Sequence, residues 1–118
     1  KTMILNFTAE AVEIEENDLE VLCVGFYAEE NYLMIQQSLD IEDSNYPIER
    51  DDQSFGIYGG VEKITLSPTQ IEVELDETGK ENLDCDGVKV DFETDEETYQ
   101  LLIEKLRLVF GNSLTVNT

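Results

Sequence analysis

Residues 88–111 read VKVDFETDEETYQLLIEKLRLVFG, and the period of the apolar residues changes inside that stretch. Val88, Val90 and Phe92 alternate with Lys89, Asp91 and Glu93, a spacing of two that predicts a strand with one buried face. From Tyr99 onward the apolar positions are Tyr99, Leu102, Ile103, Leu106, Val109 and Phe110, which share one side of a 3.6-residue period. Thr94 followed by Glu97 reads as a capping box, Asp95 and Glu96 suit the positive end of the helix dipole, and Gly111 supplies a terminator. A strand that runs directly into an amphipathic helix predicts an α+β fold.

Working back toward the N-terminus, the pattern is one of strands. Ile71, Val73 and Leu75 alternate with Glu72, Glu74 and Asp76, and Ser67-Pro68-Thr69-Gln70 is a turn that joins this run to Val61–Leu66 as a hairpin. Thr78 to Leu83 reads as a helical turn despite Gly79. Leu19 to Ala28 is apolar on both alternations, with Leu19, Val21, Cys23 and Tyr27 opposed to Leu22, Val24 and Phe26, as in a strand covered on both sides. Glu29, Glu30 and Asn31 turn it into a second strand, Tyr32 to Asp40, giving another hairpin. The first segment alternates through Met3, Leu5, Phe7, Ala9 and Ala11 and then shifts phase to Val12 and Ile14, which predicts one strand bulged near Ala11. Between Asp40 and Gly60 the periodicity fails. Tyr46-Pro47-Ile48-Glu49 is a candidate short strand that Pro47 would confine to a sheet edge, and Gly56, Gly59 and Gly60 permit positive φ or a close backbone approach. The expectation is a mostly antiparallel sheet of about six strands with one long C-terminal amphipathic helix packed on it.

The chain has 118 residues, of which 41% are hydrophobic. That is one domain's length, spanning residues 1–118, and enough to bury roughly two-thirds of the unfolded surface. No apolar run approaches the ~20 residues of a membrane span. No signal-peptide pattern stands at the N-terminus, which opens on Lys1, and Cys23 and Cys85 lack the spacing of a disulfide framework. A cytoplasmic protein with reduced thiols is expected.

Charge narrows the partners. Acids number 28 against 7 bases with no histidine, for a formal charge of −21. Residues 1 to 49 carry 12 acids and one base, so the excess is not a terminal tail. Such a surface repels nucleic acid and anionic membranes and favours a basic protein partner. High charge also serves solubility alone.

The residue inventory argues against catalysis. Without histidine the usual base for a Ser or Cys nucleophile is missing, and no Gly-rich phosphate loop precedes a helix. No catalytic residue and no cofactor is expected. Asn82, Asp84, Asp86, Gly87 and Glu93 mimic the spacing of a calcium loop, but the entering segment is strand and turn, and Val88–Phe92 leaves it as a strand, so no metal site is expected. Tyr27, Tyr32 and Tyr99 read as core or core-edge residues. Tyr46 and Tyr58 instead stand among Glu42, Asp43, Glu49, Asp51 and Asp52, where aromatic rings beside carboxylates make anchors for a cationic partner. These seven residues are the candidate contact set.

Tyr32-Leu33-Met34-Ile35-Gln36-Gln37-Ser38, the acidic segment after it, Tyr46-Pro47-Ile48-Glu49, Tyr58-Gly59-Gly60-Val61-Glu62, the acidic hairpin and the closing Asp-Glu-Glu helix together resemble the immunity protein 10 family of bacterial polymorphic-toxin and contact-dependent inhibition systems. The resemblance covers residues 19 to 111. It implies a non-catalytic protein that binds and neutralises a cognate toxin, nucleases with basic clefts being frequent targets in such systems. The other reading the residues allow is an acidic binding or scaffold domain for a basic protein unrelated to toxins. Neither reading fixes the oligomeric state.

A charge of −21 on so short a chain makes the folded state repel itself. Raising NaCl to about 0.1 M, where the screening length is about 10 Å, should therefore raise the melting temperature. A melting temperature that falls or stays flat contradicts this.

Overall fold

The alternations carry over into the computed structural model, which describes residues 3–16, 21–38 and 47–117, with the backbone alone for residues 38, 52–54, 57 and 58. Ten strands and two α-helices are described: β1 (Ile4–Thr8), β2 (Ala11–Glu16), β3 (Val21–Tyr27), β4 (Tyr32–Ser38), β5 (Pro47–Arg50), β6 (Asp52–Tyr58), β7 (Val61–Ser67), β8 (Gln70–Leu75), α1 (Glu77–Leu83), β9 (Gly87–Asp91), α2 (Glu96–Phe110) and β10 (Leu114–Val116). The fold is α+β and mostly antiparallel, as expected, but the strands form two five-stranded sheets rather than one.

The first sheet has the order β1-β9-β8-β7-β10, with parallel pairs at both ends, β1 with β9 and β10 with β7. The second is an antiparallel meander in chain order, β2-β3-β4-β5-β6. The phase shift near Ala11 is therefore a change of sheet and not a bulge. Ala9 N–H still bonds Asp91 O in the first sheet, and Glu10 N–H already bonds Tyr27 O in the second, both at 2.7 Å. The side chains reverse because each sheet turns its own face to the core.

The core lies between these faces. Leu22, Val24, Phe26, Leu33, Ile35 and Ile48 of the meander, and Ile64, Leu66, Ile71, Val73, Val88 and Val90 of the other sheet, join one buried cluster with Leu102 and Leu106 of α2. Phe26 meets Phe92 across the gap, ring centroids 5.4 Å apart. Helix α2 runs over Glu96–Phe110 with its buried stripe where the sequence puts it, and Gly111 caps it. Its N-cap is Asp95, whose carboxylate accepts from Thr98 N–H at 2.7 Å, one residue later than the Thr94 capping box. Asp outcompetes Thr because an anion also suits the dipole, and hydrogen bonding holds its carboxyl below the usual range. No helix among the described residues is long and apolar enough to cross a membrane.

The segment after residue 46 contains more order than its periodicity shows. Hairpin β5–β6 turns at Asp51, which takes a left-handed φ of 62°. Pro47 does not lie at an edge, since β5 sits between β4 and β6. It opens the strand, where its missing N–H is tolerated. Gly59 and Gly60, with φ of 81° and 86°, turn the chain into β7. There the Gly60 carbonyl accepts from Asp76 N–H at 3.0 Å and lies under Gly79, where any Cβ would collide with it. The close approach those glycines allow is thus to α1 of the same chain.

Arg50 ties the meander to α1, the helix between β8 and β9 of the other sheet. Its side chain points inward from β5 and is 11% exposed. Nε donates to Leu83 O at 2.8 Å and an Nη to Asp84 O at 3.3 Å, so the guanidinium caps the C-terminus of α1. The other Nη meets the Asp51 carboxylate at 3.1 Å, and the plane stacks 4.2 Å above the Phe55 ring. Arg50→Ala leaves two carbonyls and a carboxylate short of a partner and should lose about 3 kcal/mol in urea unfolding. Arg50→Lys should recover only a minor part, since an ammonium cannot make the fork and the stack together. Wild-type stability in the lysine variant would contradict this role.

Candidate binding face

Of the seven residues picked from the sequence, Glu42, Asp43 and Tyr46 lie outside the described residues, and Asp52 and Tyr58 are placed by backbone only, at the two ends of β6. Glu49 and Asp51 are described in full. They work differently. The Asp51 carboxylate accepts from Tyr32 N–H at 2.9 Å, Asn31 Nδ2 at 3.1 Å and Arg50, so it fixes the turn against the β3–β4 hairpin. Glu49 points outward, and its Oε2 accepts from the Tyr32 hydroxyl at 2.5 Å.

Glu49 thereby belongs to a larger face. Strand alternation sends Glu13 and Glu15 of β2, Val21, Cys23, Gly25 and Tyr27 of β3, Tyr32, Met34 and Gln36 of β4, and Glu49 of β5 to the side away from the core. Register sets Glu13, Gly25, Met34 and Glu49 in one row across four strands. Tyr27 and Tyr32 stand in the next row, ring centroids 6.2 Å apart and tilted by 32°. Of the two positions expected at the core or its edge, both are half-buried and lie outside the buried cluster, on the face away from the core. The alternation of β3 was read as apolar on both sides, and the outer side is the one that is not covered as core.

Side-chain bonds fix the outer face. The Tyr27 hydroxyl bonds the Cys23 thiol, which also bonds Gln36, and Gln36 Nε2 reaches Met34 Sδ at 3.8 Å. Partial burial first, then the nearby Cys23, Glu13 and Glu15, push the Tyr27 phenol up to about 12. Burial likewise raises the Cys23 thiol. Both groups are therefore neutral at pH 7.

Electrostatically the two outer faces differ. On the other sheet Glu72 is paired in register with Lys89, and Lys63 with Glu74, so acids and bases alternate. Gln70 there donates to Asp91 at 2.9 Å. The meander contains a single described base, Arg50, and that one points inward. The remaining described bases sit on α1 and α2: Lys80 near Glu77, Lys105 bonded to Glu16, and Arg107 donating to Leu114 O at 3.1 Å. The outer face of the meander is thus aromatic and acidic, without a described counter-charge.

The calcium-like spacing does not gather its oxygens. Asn82 donates to Thr78 O within α1, Asp84 caps that helix at φ 53°, and Asp86 accepts from Met3 N–H. Among the described residues no group of three acids or thiols is placed to hold a metal.

Residues 8–100 match the family model described as Immunity protein 10. No curated protein and no solved structure matches the chain.

A phenol held up to about 12 when folded, against the ordinary 10, binds its proton more tightly in the native state. The stability this represents is complete below pH 10 and is lost as pH rises from 10 toward 12. Ultraviolet titration of the five tyrosines should show a late step that Tyr27→Phe removes. An unchanged titration curve in that variant contradicts the assignment.

Proposed function

The chain belongs to the Immunity protein 10 family, and on that premise we propose that it binds a toxin made by the same cell and blocks it without catalysis, using carboxylates to engage a basic toxin surface. The family match carries the reading, because immunity proteins have a cognate toxin as partner and its neutralisation as their role. The charge of −21 supports the finer part. Carboxylates facing Lys and Arg steer encounter and raise association rates toward ~10⁸–10⁹ M⁻¹s⁻¹ at low salt, while a few desolvated anchors hold the complex. A nuclease fits this chemistry, since a cleft built for phosphates is basic.

The contact set we assign is Glu42, Asp43, Tyr46, Glu49, Asp51, Asp52 and Tyr58. Within it Glu49 offers a carboxylate beside the Tyr32 phenol, and Asp51 shapes the turn that presents its neighbours. We assign the action to the cytoplasm, where a toxin made by the same cell first appears.

Co-expression with the product of the adjacent upstream gene tests the reading. That product should arrest growth alone and cease to do so when this chain is present. If it is harmless alone, or still toxic beside the chain, the reading fails. In the purified pair the association rate should fall steeply with salt while the dissociation rate changes little; a salt-independent association rate contradicts the steering role.

A further inference from the structure

Gly25 stands in the middle of β3, a position where glycine weakens a strand. The structure shows what occupies the space. The Tyr27 ring lies back along the strand over Gly25, and a Cβ there would run into its Cε2, Cζ and hydroxyl. The ring is laid flat on the sheet, one π-face against the Gly25 backbone and the other outward. Its tip is tied to Cys23, and the Tyr32 ring beside it is tied to Glu49. Glu13 and Glu15 flank it from β2, close enough to raise its pKa.

We propose that this outer face, with Tyr27 as platform and Glu13, Glu15 and Glu49 as flanking carboxylates, is the docking surface for an arginine presented by the basic surface of the toxin. The inference rests on the toxin-binding reading and extends its contact set to β2, β3 and β4. Three observations on the face fit a guanidinium. An outward π-face attracts a cation, and a planar, weakly hydrated guanidinium stacks on it better than an ammonium does. Carboxylates on both sides of the rings offer the acceptors its N–H fork requires. No described base on the face competes for them, whereas Lys63 and Lys89 do so on the other sheet. Rings already held by hydrogen bonds also lose little rotamer freedom on binding, as expected of an anchor.

Two experiments on the full chain separate this surface from the reading beneath it. In an NMR titration, a tri-arginine peptide should shift the amides of Glu13, Gly25, Tyr27, Tyr32, Met34 and Glu49 and bind several-fold tighter than tri-lysine. Tyr27→Ala should abolish those shifts, while Glu81→Gln on α1 leaves them in place. Shifts centred on α2 or the other sheet, or equal binding of the two peptides, overturn the proposal. Against the upstream gene product, Tyr27→Ala should weaken binding about 30-fold or more. Tyr27→Phe, which keeps the ring but not its tie to Cys23, should weaken binding only a few-fold, and Gly25→Ala, which lifts the ring, should behave like Tyr27→Ala. Melting curves of Tyr27→Ala and Glu13→Gln, both on the outer face, show whether the fold is kept. If the wild-type chain binds the product and Tyr27→Ala binds equally well, the surface is wrong and toxin binding stands. If the wild-type chain does not bind it, the toxin reading fails, and the peptide titration alone decides the surface.

Discussion

A single guanidinium holds the geometry on which the rest depends. Arg50 is the one base that the described meander turns inward, and it reaches the C-terminus of α1, the Asp51 carboxylate, the Phe55 ring and the Cys85 thiol. Without it, β5 would end beside two unsatisfied helix carbonyls and a turn whose only non-glycine, left-handed residue had lost its cation. Arginine alone among the side chains supplies a fork for two carbonyls and a carboxylate together with a flat face for the phenyl ring. A chain this rich in acid uses its scarce positive charge where it also ties the meander to α1.

That allocation produces the surface. Lys80, Lys105 and Arg107 are engaged on the helices, and Lys63 and Lys89 stand opposite Glu74 and Glu72. What remains is an acidic, aromatic face on the meander, where Glu13, Glu15 and Glu49 have no cation nearby among the described residues. Net charge describes solubility and encounter rates. The placement of bases decides which face a cation would find.

The sequence shows its fold best where one face is buried and one is wet. Helix α2 and strands β8 and β9 carry clean periods, and each lies where the pattern puts it, as does β7 despite a register shift between Val61 and Lys63. The departures have physical causes. The phase shift at Ala11 marks a chain crossing between sheets, and a bulge leaves the same trace in sequence. Strand β6 contains Gly56 and polar residues in place of an alternation, and β10 has only three residues, held by parallel pairing to β7 that no local pattern encodes. Pro47 reads as an edge residue because a ladder bond is missing, but at the first residue of a strand that bond is not required. Of the candidate site, the acidic and aromatic character was legible. The alignment of Glu49 with Glu13 across four strands was not, because it is a product of register.

Gly25 is the trace that such a face leaves in the sequence. In β3 every other residue fits a strand, and a glycine among Val24 and Phe26 breaks the local preference without relieving any turn, since its φ is not left-handed. A residue that weakens its own element needs a compensating contact nearby. On a strand that contact lies at i±2, on the same face, which leaves Cys23 and Tyr27. Only Tyr27 is large enough to fill the gap, and a ring that fills it must lie down and turn its other side outward. The outward turn of that π-face is therefore a consequence of the glycine, and the acids beside it favour a cation there over any other ligand.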